Sequence, residues 1–370
     1  MARDAALRAL ADTTTGWLYD KAIPLWLEHG VDRRRGGPYD ALDPQSLDNR
    51  ADFKRLRVTT RQIYVFVEAA LHGVAGARAA VDDALDFLRT KLRHPAGGFA
   101  GRCDLDGIIV DETRDLYDLA FTLFALAHGY RLTAARELKD EALALAIFVQ
   151  AEMRHPSGGY VEALPSRLPR RQNPHMHLLE AVLACAEHMP HPLFDALCDE
   201  LGDLAAGRFI DAEAGLLFEY YDDGLIPART NGRALVEPGH HFEWAWLLAE
   251  FDRVRGRHIE GGACLAGFAL RHGLDRETGF LHGELFDDGT VATASVRLWP
   301  HCEWLKAMLV LEGDVRPPLA ALARFLDTPV VGLWHEWWDA DARAFRQNAV
   351  PASSLYHITS ALTALERHAG

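Results

Sequence analysis

The segment from Glu237 to Glu243 combines a turn, two histidines and a carboxylate at the start of an apolar run. If a helix begins here, His240 and Glu243 are three residues apart and share one face. A histidine beside a carboxylate at a helix start is typical of a site that moves protons near neutral pH. The structural alternative is a helix start that contains a buried core histidine.

Five other predicted helices begin in a similar way, with polar or aromatic groups that give way to an apolar run. The six starts lie near Thr59, Arg114, Asn173, Gly239, Arg297 and Ser353. In a barrel of helical hairpins, alternate helices form the inner ring and run in the same direction. Their N-termini would converge at one end of the bore, where helix dipoles favour oxygen-rich ligands.

The predicted pocket contains histidines, two acids and one arginine. Its members are His175, His177, His240, His301, His357, Glu243, Glu303 and Arg61. Histidine acid/base catalysis on a small polar substrate and metal binding by histidines and carboxylates both remain open. Metal binding is less favoured, because residues two apart on a helix, such as His175 and His177, point in different directions. Glycoside hydrolysis would use the two carboxylates but would leave the histidines unexplained.

A glycine turn recurs along the chain at intervals of 53 to 64 residues. The first copies are Gly36-Gly37, Gly97-Gly98 and Gly158-Gly159, and weaker copies begin at Gly215, Gly279 and Gly332. Such self-similarity indicates a repeat architecture. Between the turns, apolar residues follow helical spacing. The predicted helices are 6–29, 59–74, 79–93, 114–131, 136–154, 174–188, 191–206, 240–255, 258–272, 300–313, 316–326 and 353–368.

We therefore predict an all-α protein, an (α/α)6 barrel of twelve helices in six hairpin repeats, with short β-hairpins in the connecting loops. Residues 1–370 would form a single catalytic domain. The apolar last helix favours a closed ring, because an open solenoid usually ends in a polar capping repeat. An open, non-catalytic helical scaffold that binds a protein or a sugar is the competing interpretation.

Composition and charge narrow the functional classes. The chain has 370 residues and a net charge of -14, so we expect no nucleic-acid partner. Its five cysteines are scattered and form no C-x-x-C pair, which fits a cytoplasmic protein without disulfides or a cysteine zinc site. No apolar run approaches the roughly 18 residues of a spanning helix, so no membrane association is expected.

Five segments carry a family resemblance. They are Asn173-Pro174-His175-Met176-His177, Pro238-Gly239-His240-His241-Phe242-Glu243-Trp244, Arg297-Leu298-Trp299-Pro300, Glu303-Trp304-Leu305-Lys306-Ala307 and Tyr356-His357-Ile358. Together they resemble the N-acylglucosamine 2-epimerase superfamily, which also contains mannose- and sulfoquinovose-type aldose–ketose isomerases and cellobiose 2-epimerases. The resemblance runs through nearly the whole chain, and it implies an (α/α)6 barrel.

The resemblance also implies roles for individual residues. His240 and His357 match the general acid/base pair, and His177 and Glu243 match the supporting histidine and glutamate. Arg61 matches the arginine that holds substrate oxygens. Four further residues match substrate-binding positions of the pocket: Asn173, Tyr117, Trp299 and Glu303. We expect Glu243, one turn along from His240, to orient its imidazole and to stabilise its cation.

The expected function is a sugar isomerase that converts D-mannose to D-fructose through a cis-enediolate, without metal or other cofactor. A monosaccharide 2-epimerase is the second interpretation, for mannose and glucose or for their N-acyl amino sugars. Disaccharide epimerases carry a tryptophan shortly before the last histidine. This chain has Pro351-Ala352-Ser353-Ser354 there, without an aromatic residue, which favours a monosaccharide as the substrate. A homodimer is the expected form of self-association.

Overall fold

The computed structural model describes the backbone of residues 2–369 and the side chains of residues 8–369. Over this range the chain forms twelve helices, whose ends agree with the predicted ones to within four residues. Helix α1 comprises Ala2–Trp17, a π-helical turn at Leu18–Ala22, and Ile23–His29. The others are α2 Leu56–Leu71, α3 Ala77–Lys91, α4 Leu116–Thr133, α5 Arg136–Glu152, α6 Gln172–His188, α7 Pro192–Leu204 continued by Ala205–Phe209, α8 Pro238–Arg255, α9 Gly262–Phe268 continued by Ala269–Gly273, α10 Trp299–Val310, α11 Arg316–Leu326 and α12 Ser353–Ala369.

The even-numbered helices form a closed inner ring. They pack side by side in chain order, and α12 returns to pack against α2. Each odd-numbered helix from α3 to α11 packs outside the inner helix that precedes it, and α1 packs against α12. The inner helices are buried on almost every side, which explains why they are apolar around most of their circumference. The prediction of an (α/α)6 barrel is confirmed, and the open solenoid is excluded.

Short antiparallel strands occupy the loops, as predicted. The strands are β1 Ala41–Leu42, β2 Phe53–Arg55, β3 Arg102–Asp104, β4 Ile109–Asp111, β5 Arg114–Asp115, β6 Ala163–Leu164, β7 Arg170–Arg171, β8 Ile210–Asp211, β9 Leu216–Leu217, β10 Tyr220–Tyr221, β11 Leu235–Val236, β12 Glu284–Phe286, β13 Val291–Thr293, β14 Val296–Arg297, β15 Trp337–Asp339, β16 Ala344–Phe345 and β17 Val350–Pro351. They pair as β2-β3-β4, β5-β6, β7-β10, β8-β9, β11-β12-β13, β14-β15-β16 and β1-β17. The last pair joins the first loop to the last one and helps to close the ring.

Six of these strands lead directly into inner helices: β2, β5, β7, β11, β14 and β17. The paired strands therefore gather around the end of the bore where the inner helices begin, which we call the mouth. Because each helix starts at a strand whose register is fixed by its neighbour, the first turns of the inner helices are held in place. The recurring glycine turns lie at the ends of the outer helices, as in the bridges Arg93 to Phe99 and Arg154 to Tyr160.

Among the described helices, none has both the length and the low polarity that a membrane span requires.

Candidate active site

The nine side chains to which the family resemblance assigns roles form one chain of contacts at the mouth. Asn173 contacts His240, and the Trp299 ring contacts the rings of His240 and His357, whose centroids are 5.0 and 5.6 Å away. The contacts continue from His357 through Glu303, Glu243 and His177 to Tyr117 and Arg61. Asn173 and Tyr117 are half-buried and the other seven are buried. The helix starts therefore converge as the hairpin geometry requires.

His240 is held by carboxylates that the sequence analysis did not select. Its Nδ1 lies 2.9 Å from Glu219 Oε2 and 3.7 Å from Glu237 Oε2. Burial lowers the pKa of His240, but the charges of Glu219 and Glu237 outweigh it and raise that pKa to about 10. The expectation that Glu243 orients the His240 ring is therefore wrong, since the Nδ1–H of His240 donates to Glu219.

The other ring nitrogen of His240 faces an amide. His240 Nε2 lies 3.0 Å from Asn173 Nδ2, while Asn173 Oδ1 is buried without a hydrogen-bond partner among the described residues. Oxygen and nitrogen of an amide are assigned from the hydrogen-bond network. Rotating the amide by 180° lets a protonated His240 donate from Nε2 to Oδ1, which removes the unsatisfied oxygen. In that orientation of the amide, the local hydrogen bonding fits an imidazolium at His240.

We predict that Glu219→Gln shifts the alkaline limb of the pH profile of kcat/KM to lower pH. Glu219 raises the pKa of His240, so removing its charge lowers that pKa and the imidazolium is lost earlier as pH rises. The profile should be measured between pH 5 and pH 11 with Glu219→Asp as the charge-retaining control. An unchanged alkaline limb in Glu219→Gln would show that His240 does not act as a cation.

His357 differs from His240 in its protonation, because its surroundings favour the neutral imidazole. Its Nδ1 lies 2.7 Å from Glu303 Oε1, and Glu303 Oε2 lies 2.7 Å from the ammonium of Lys306. Burial lowers the pKa of His357 to about 3 despite the nearby carboxylate. Burial opposes ionisation of Glu303, but Lys306 and the hydrogen bond from His357 lower its pKa to about 2. The result is a neutral imidazole whose Nδ1–H donates to an ionised carboxylate, which leaves Nε2 free as a base.

Glu243 is a buried carboxyl group without a hydrogen-bond partner in the described part of the chain. Neither of its oxygens is hydrogen-bonded to any described group, and its nearest ring nitrogen is His177 Nε2 at 3.9 Å. Burial raises the pKa of Glu243 well above its usual range, and the charge of Glu303 raises it further. Glu243 is therefore a protonated acid between His177 and Glu303, and its hydroxyl is available as a donor to a bound molecule.

We predict that Lys306→Met moves the acid limb of the kcat profile to higher pH. Without the ammonium, Glu303 holds its proton up to a higher pH, and protonated Glu303 no longer supports the Nδ1–H form of His357. Since Glu303 is then ionised only at higher pH, activity is lost earlier as pH falls. Lys306→Arg, which keeps the charge, should restore much of the acid limb. Equal profiles for Lys306→Met and the parent protein would contradict this link.

A third histidine of the pocket, His177, is also held by a carboxylate. His177 Nδ1 lies 2.9 Å from Glu180 Oε2, and Tyr356 donates its hydroxyl to Glu180 Oε1. Burial lowers the pKa of His177 to about 4. The ring of His177 packs edge-on against Tyr117 at 4.9 Å. His177 is thus a neutral, tightly packed side chain.

Arg61 supplies a buried positive charge to the same pocket. It donates from Nη2 to the Tyr117 hydroxyl, and its guanidinium lies over the rings of Phe121 and Tyr356, 4.3 and 5.1 Å from their centroids. Its Nε has no hydrogen-bond partner among the described groups. A buried guanidinium with free donors favours a bound oxygen, and the aromatic faces hold it in position.

His175 and His301 do not belong to the pocket, contrary to the sequence analysis. Their Nδ1 atoms bond the carbonyl oxygens of Arg171 and Arg297, and their Nε2 atoms accept the N–H groups of Tyr160 and Leu281 at 3.0 Å. His241 makes the equivalent contacts with Glu237 and Leu217. All three connect the first turn of an inner helix to the chain after a glycine turn. At Gly159, a Cβ would lie 2.8 Å from His175 Nε2, so the turn requires glycine.

We predict that His175→Ala lowers the free energy of unfolding by about 2–4 kcal/mol, since it removes two buried hydrogen bonds and leaves a cavity. Burial lowers the pKa of His175, His241 and His301 to about 4. The unfolded chain therefore binds more protons, and stability falls as pH decreases from about 6.5 towards 4. Denaturant titrations at several pH values should show a shallower acid decline in His175→Ala, and an unchanged decline would refute the neutral-imidazole assignment.

Among the residues that the structure describes, three groups of side chains have the geometry to hold a cation: His177, Glu180 and Glu243; Glu219, Glu237 and His240; and Glu243, Glu303 and His357. In each group a proton or an ammonium competes with the metal. His240 is protonated beside Glu219, and Lys306 already neutralises Glu303. Metal ligands must be deprotonated, so binding at these groups would first require loss of those protons.

The family model for N-acylglucosamine 2-epimerase (GlcNAc 2-epimerase) matches residues 37–361 of the chain. The protein belongs to this family. "Mannose-6-phosphate isomerase" of Rhizobium meliloti (strain 1021) is 37% identical to this N-acylglucosamine 2-epimerase family member over 375 residues, which cover 96% of each chain. A "D-mannose isomerase" of Thermobifida fusca is 29% identical over 324 residues, which cover 76% of each chain.

The solved cellobiose 2-epimerase of Spirochaeta thermophila DSM 6192 superposes on 99% of this chain and 98% of its own with a TM-score of 0.86. Its sequence is 22% identical, so this likeness shows the shared barrel. The N-acylglucosamine 2-epimerase family and the relatives named above consist of sugar isomerases and epimerases. The protein is therefore an isomerase, of the aldose–ketose or the 2-epimerase type.

Proposed function

We propose that the protein interconverts D-mannose and D-fructose by proton transfer between two histidines, with residues 1–370 as one catalytic domain. The observation that carries the proposal is the different charge environment of two histidines that both contact Trp299. His240 lies beside Glu219 and Glu237, whereas His357 bonds Glu303, whose charge Lys306 neutralises. A neutral imidazole and an imidazolium are the base and the acid that an aldose–ketose isomerisation needs.

The first step forms a cis-enediol from the open-chain aldose. Nε2 of His357 takes the proton from C2, the electron pair of that bond forms the C1–C2 double bond, and O1 takes the Nε2 proton of His240. Arg61 donates to the oxygen on which negative charge develops, which stabilises the transition state. Protonated Glu243 is available as a second donor.

The second step forms the ketose and restores both histidines. His240 takes the proton of the O2 hydroxyl as the C2 carbonyl forms, and C1 takes the proton that His357 carries. Each proton has a donor and an acceptor within the chain, so the proposed route uses no metal or nucleotide. Glu219 stabilises the cationic form of His240, and Glu303 favours the tautomer of His357 that leaves Nε2 unprotonated.

A free sugar is favoured over a sugar phosphate, although one relative is named for mannose 6-phosphate. Arginines near the mouth are already paired with carboxylates. Arg57 lies 2.8 Å from Asp118, Arg297 lies 3.4 Å from Glu336, and Arg171 pairs with Glu162. Arg61 lacks such a partner among the described side chains. A phosphate would usually be held by several unpaired cations.

A monosaccharide 2-epimerase is the second candidate. The rings of His240 and His357 both contact Trp299, so both are close to a substrate held against that ring. Return of a proton to the opposite face of C2 by the second histidine would give the epimer.

Metal-stripped protein should be incubated in deuterated water with D-mannose, D-glucose, D-fructose, N-acetyl-D-mannosamine and D-mannose 6-phosphate. We expect D-mannose and D-fructose to interconvert with deuterium uptake at the carbon that gains the proton, and D-mannose 6-phosphate to react at least tenfold more slowly. NMR identifies both the product and the labelled carbon. His357→Asn is the matched control, because it keeps a polar side chain but removes the base, and it should abolish exchange.

Formation of D-glucose from D-mannose as the main product would support the epimerase instead. Exchange that persists in His357→Asn would overturn the assignment of the base. No product and no exchange with any of the five sugars would overturn the proposed function as a whole.

A further inference from the structure

A cavity of about 550 Å³ lies at the opposite end of the bore from the candidate active site. It is lined by the second half of each inner helix, and we call it the rear cavity. Its lining includes Tyr64, His128, Glu180, Trp246, Lys306 and Thr363. The proposed reaction takes place at the mouth and makes no use of this volume.

The rear cavity and the active site share two charged side chains. Glu180 bonds His177 and Tyr356, and it also lines the rear cavity. Lys306 lies 2.7 Å from Glu303, and it too lines the rear cavity. At Glu180 and Lys306, a single side chain therefore separates the rear cavity from the active site. A molecule in the rear cavity would contact groups that set the charge state of the active site.

One residue that lines the rear cavity has a buried polar atom for which the described residues offer no hydrogen-bond partner. His128 is 93% buried, and its Nδ1 accepts and donates no hydrogen bond among the described groups. The nearest carboxylate oxygen, Glu68 Oε1, is 3.8 Å away. Buried polar atoms in folded proteins are normally hydrogen-bonded, and His128 lines the rear cavity, so this residue is a candidate contact for a ligand there.

The charges around the rear cavity are nearly balanced. Arg253 bonds Glu187 in bidentate fashion at 3.0 and 2.8 Å and also bonds Glu250, while Arg131 pairs with Glu68. An ion of either sign would meet like charges here and would have to break these pairs. A neutral molecule with many hydroxyl groups would instead accept from guanidinium groups and donate to carboxylates.

Aromatic side chains complete the lining. Tyr64, Phe124 and Trp246 face the rear cavity from three inner helices. Aromatic surface with a few polar groups around it is typical of small-molecule sites. It suits the C–H faces of a sugar in particular, because these are apolar while the ring edge carries the hydroxyls.

We propose that the rear cavity is a second, non-catalytic site for a small neutral polyhydroxylated ligand, a sugar or sugar alcohol, and that its occupant lowers turnover through Lys306. The binding stands by itself, whereas the effect on turnover rests on the proposed isomerase function. A ligand hydroxyl that accepts a hydrogen bond from Lys306 Nζ competes with Glu303 for the ammonium. Glu303 then supports His357 less well.

The binding is tested with D-mannitol, which has no carbonyl group and cannot be isomerised. Isothermal titration calorimetry of the full-length protein should give two sites per chain. Ala364→Phe, whose new ring would project into the rear cavity from α12, should give one site. Ala79→Phe makes the same change on the exposed surface of α3 and is the matched control with two sites.

Val310→Trp fills the rear cavity from a different helix and replaces Ala364→Phe if that variant does not fold. A crystal soaked with D-mannitol should show the ligand within contact distance of Lys306 and His128. A single site in the parent protein, or two sites in both filled variants, would overturn the proposal.

The effect on turnover is measured separately. D-mannitol at the active site competes with substrate and raises KM, whereas D-mannitol in the rear cavity lowers kcat. We expect kcat to fall at least twofold at saturating D-mannitol in the parent protein and in Ala79→Phe, and to stay constant in Ala364→Phe. A kcat that stays constant in the parent would refute the regulatory effect. Absence of turnover with every sugar would refute the proposed function and leave the binding result valid.

Discussion

Charge that is buried in the bore must be compensated locally, and this constraint sets the chemistry of the site. An isolated ionised group in a dry interior costs several kcal/mol, so each one acquires a counter-ion, a hydrogen bond or a proton. Glu219 is compensated by a proton on His240, and Glu303 by Lys306. Glu243 has no such partner among the described groups and stays protonated. Two histidines of the same pocket thereby acquire opposite protonation states.

The fold meets this constraint by holding the backbone at the start of each inner helix in a fixed position. Each inner helix starts from a strand that is paired with its neighbour, and three of these helices are also tied to a glycine turn by a neutral histidine. The rigid first turns bring His240, Trp299 and His357 from three different helices into contact. Pre-organisation of this kind lets the carboxylates act on the histidines without reorganisation during the reaction.

The sequence was sufficient to predict the twelve helices, the closed ring and the region of the pocket. Helical periodicity and the glycine interval are local signals, and both survive in the structure. Glu219 could not be found in this way, because it lies in an irregular connection and reaches His240 only after β10 pairs with β7. Glu180 and Lys306 could have been found from the sequence. Each is a single charged residue within an apolar run, and each follows a predicted site residue by three positions. His175 and His301 were misplaced, since their partners come from loops whose positions only the tertiary fold determines.

At one point of the pocket wall, the spacing between α8 and α10 determines where the side chains lie. A Cβ on Gly239 would lie 2.5 Å from the Trp299 ring, so α8 and α10 approach as closely as a missing side chain allows. The approach of the Trp299 ring to the first turn of α8, which carries His240, is therefore set by the backbone. During evolution, the pocket can thus adapt to substrates of different size through insertions in the hairpins around the mouth, because insertions there leave the ring of inner helices intact. One scaffold can in this way supply new sugar specificities while the residues of the proposed proton transfer stay constant.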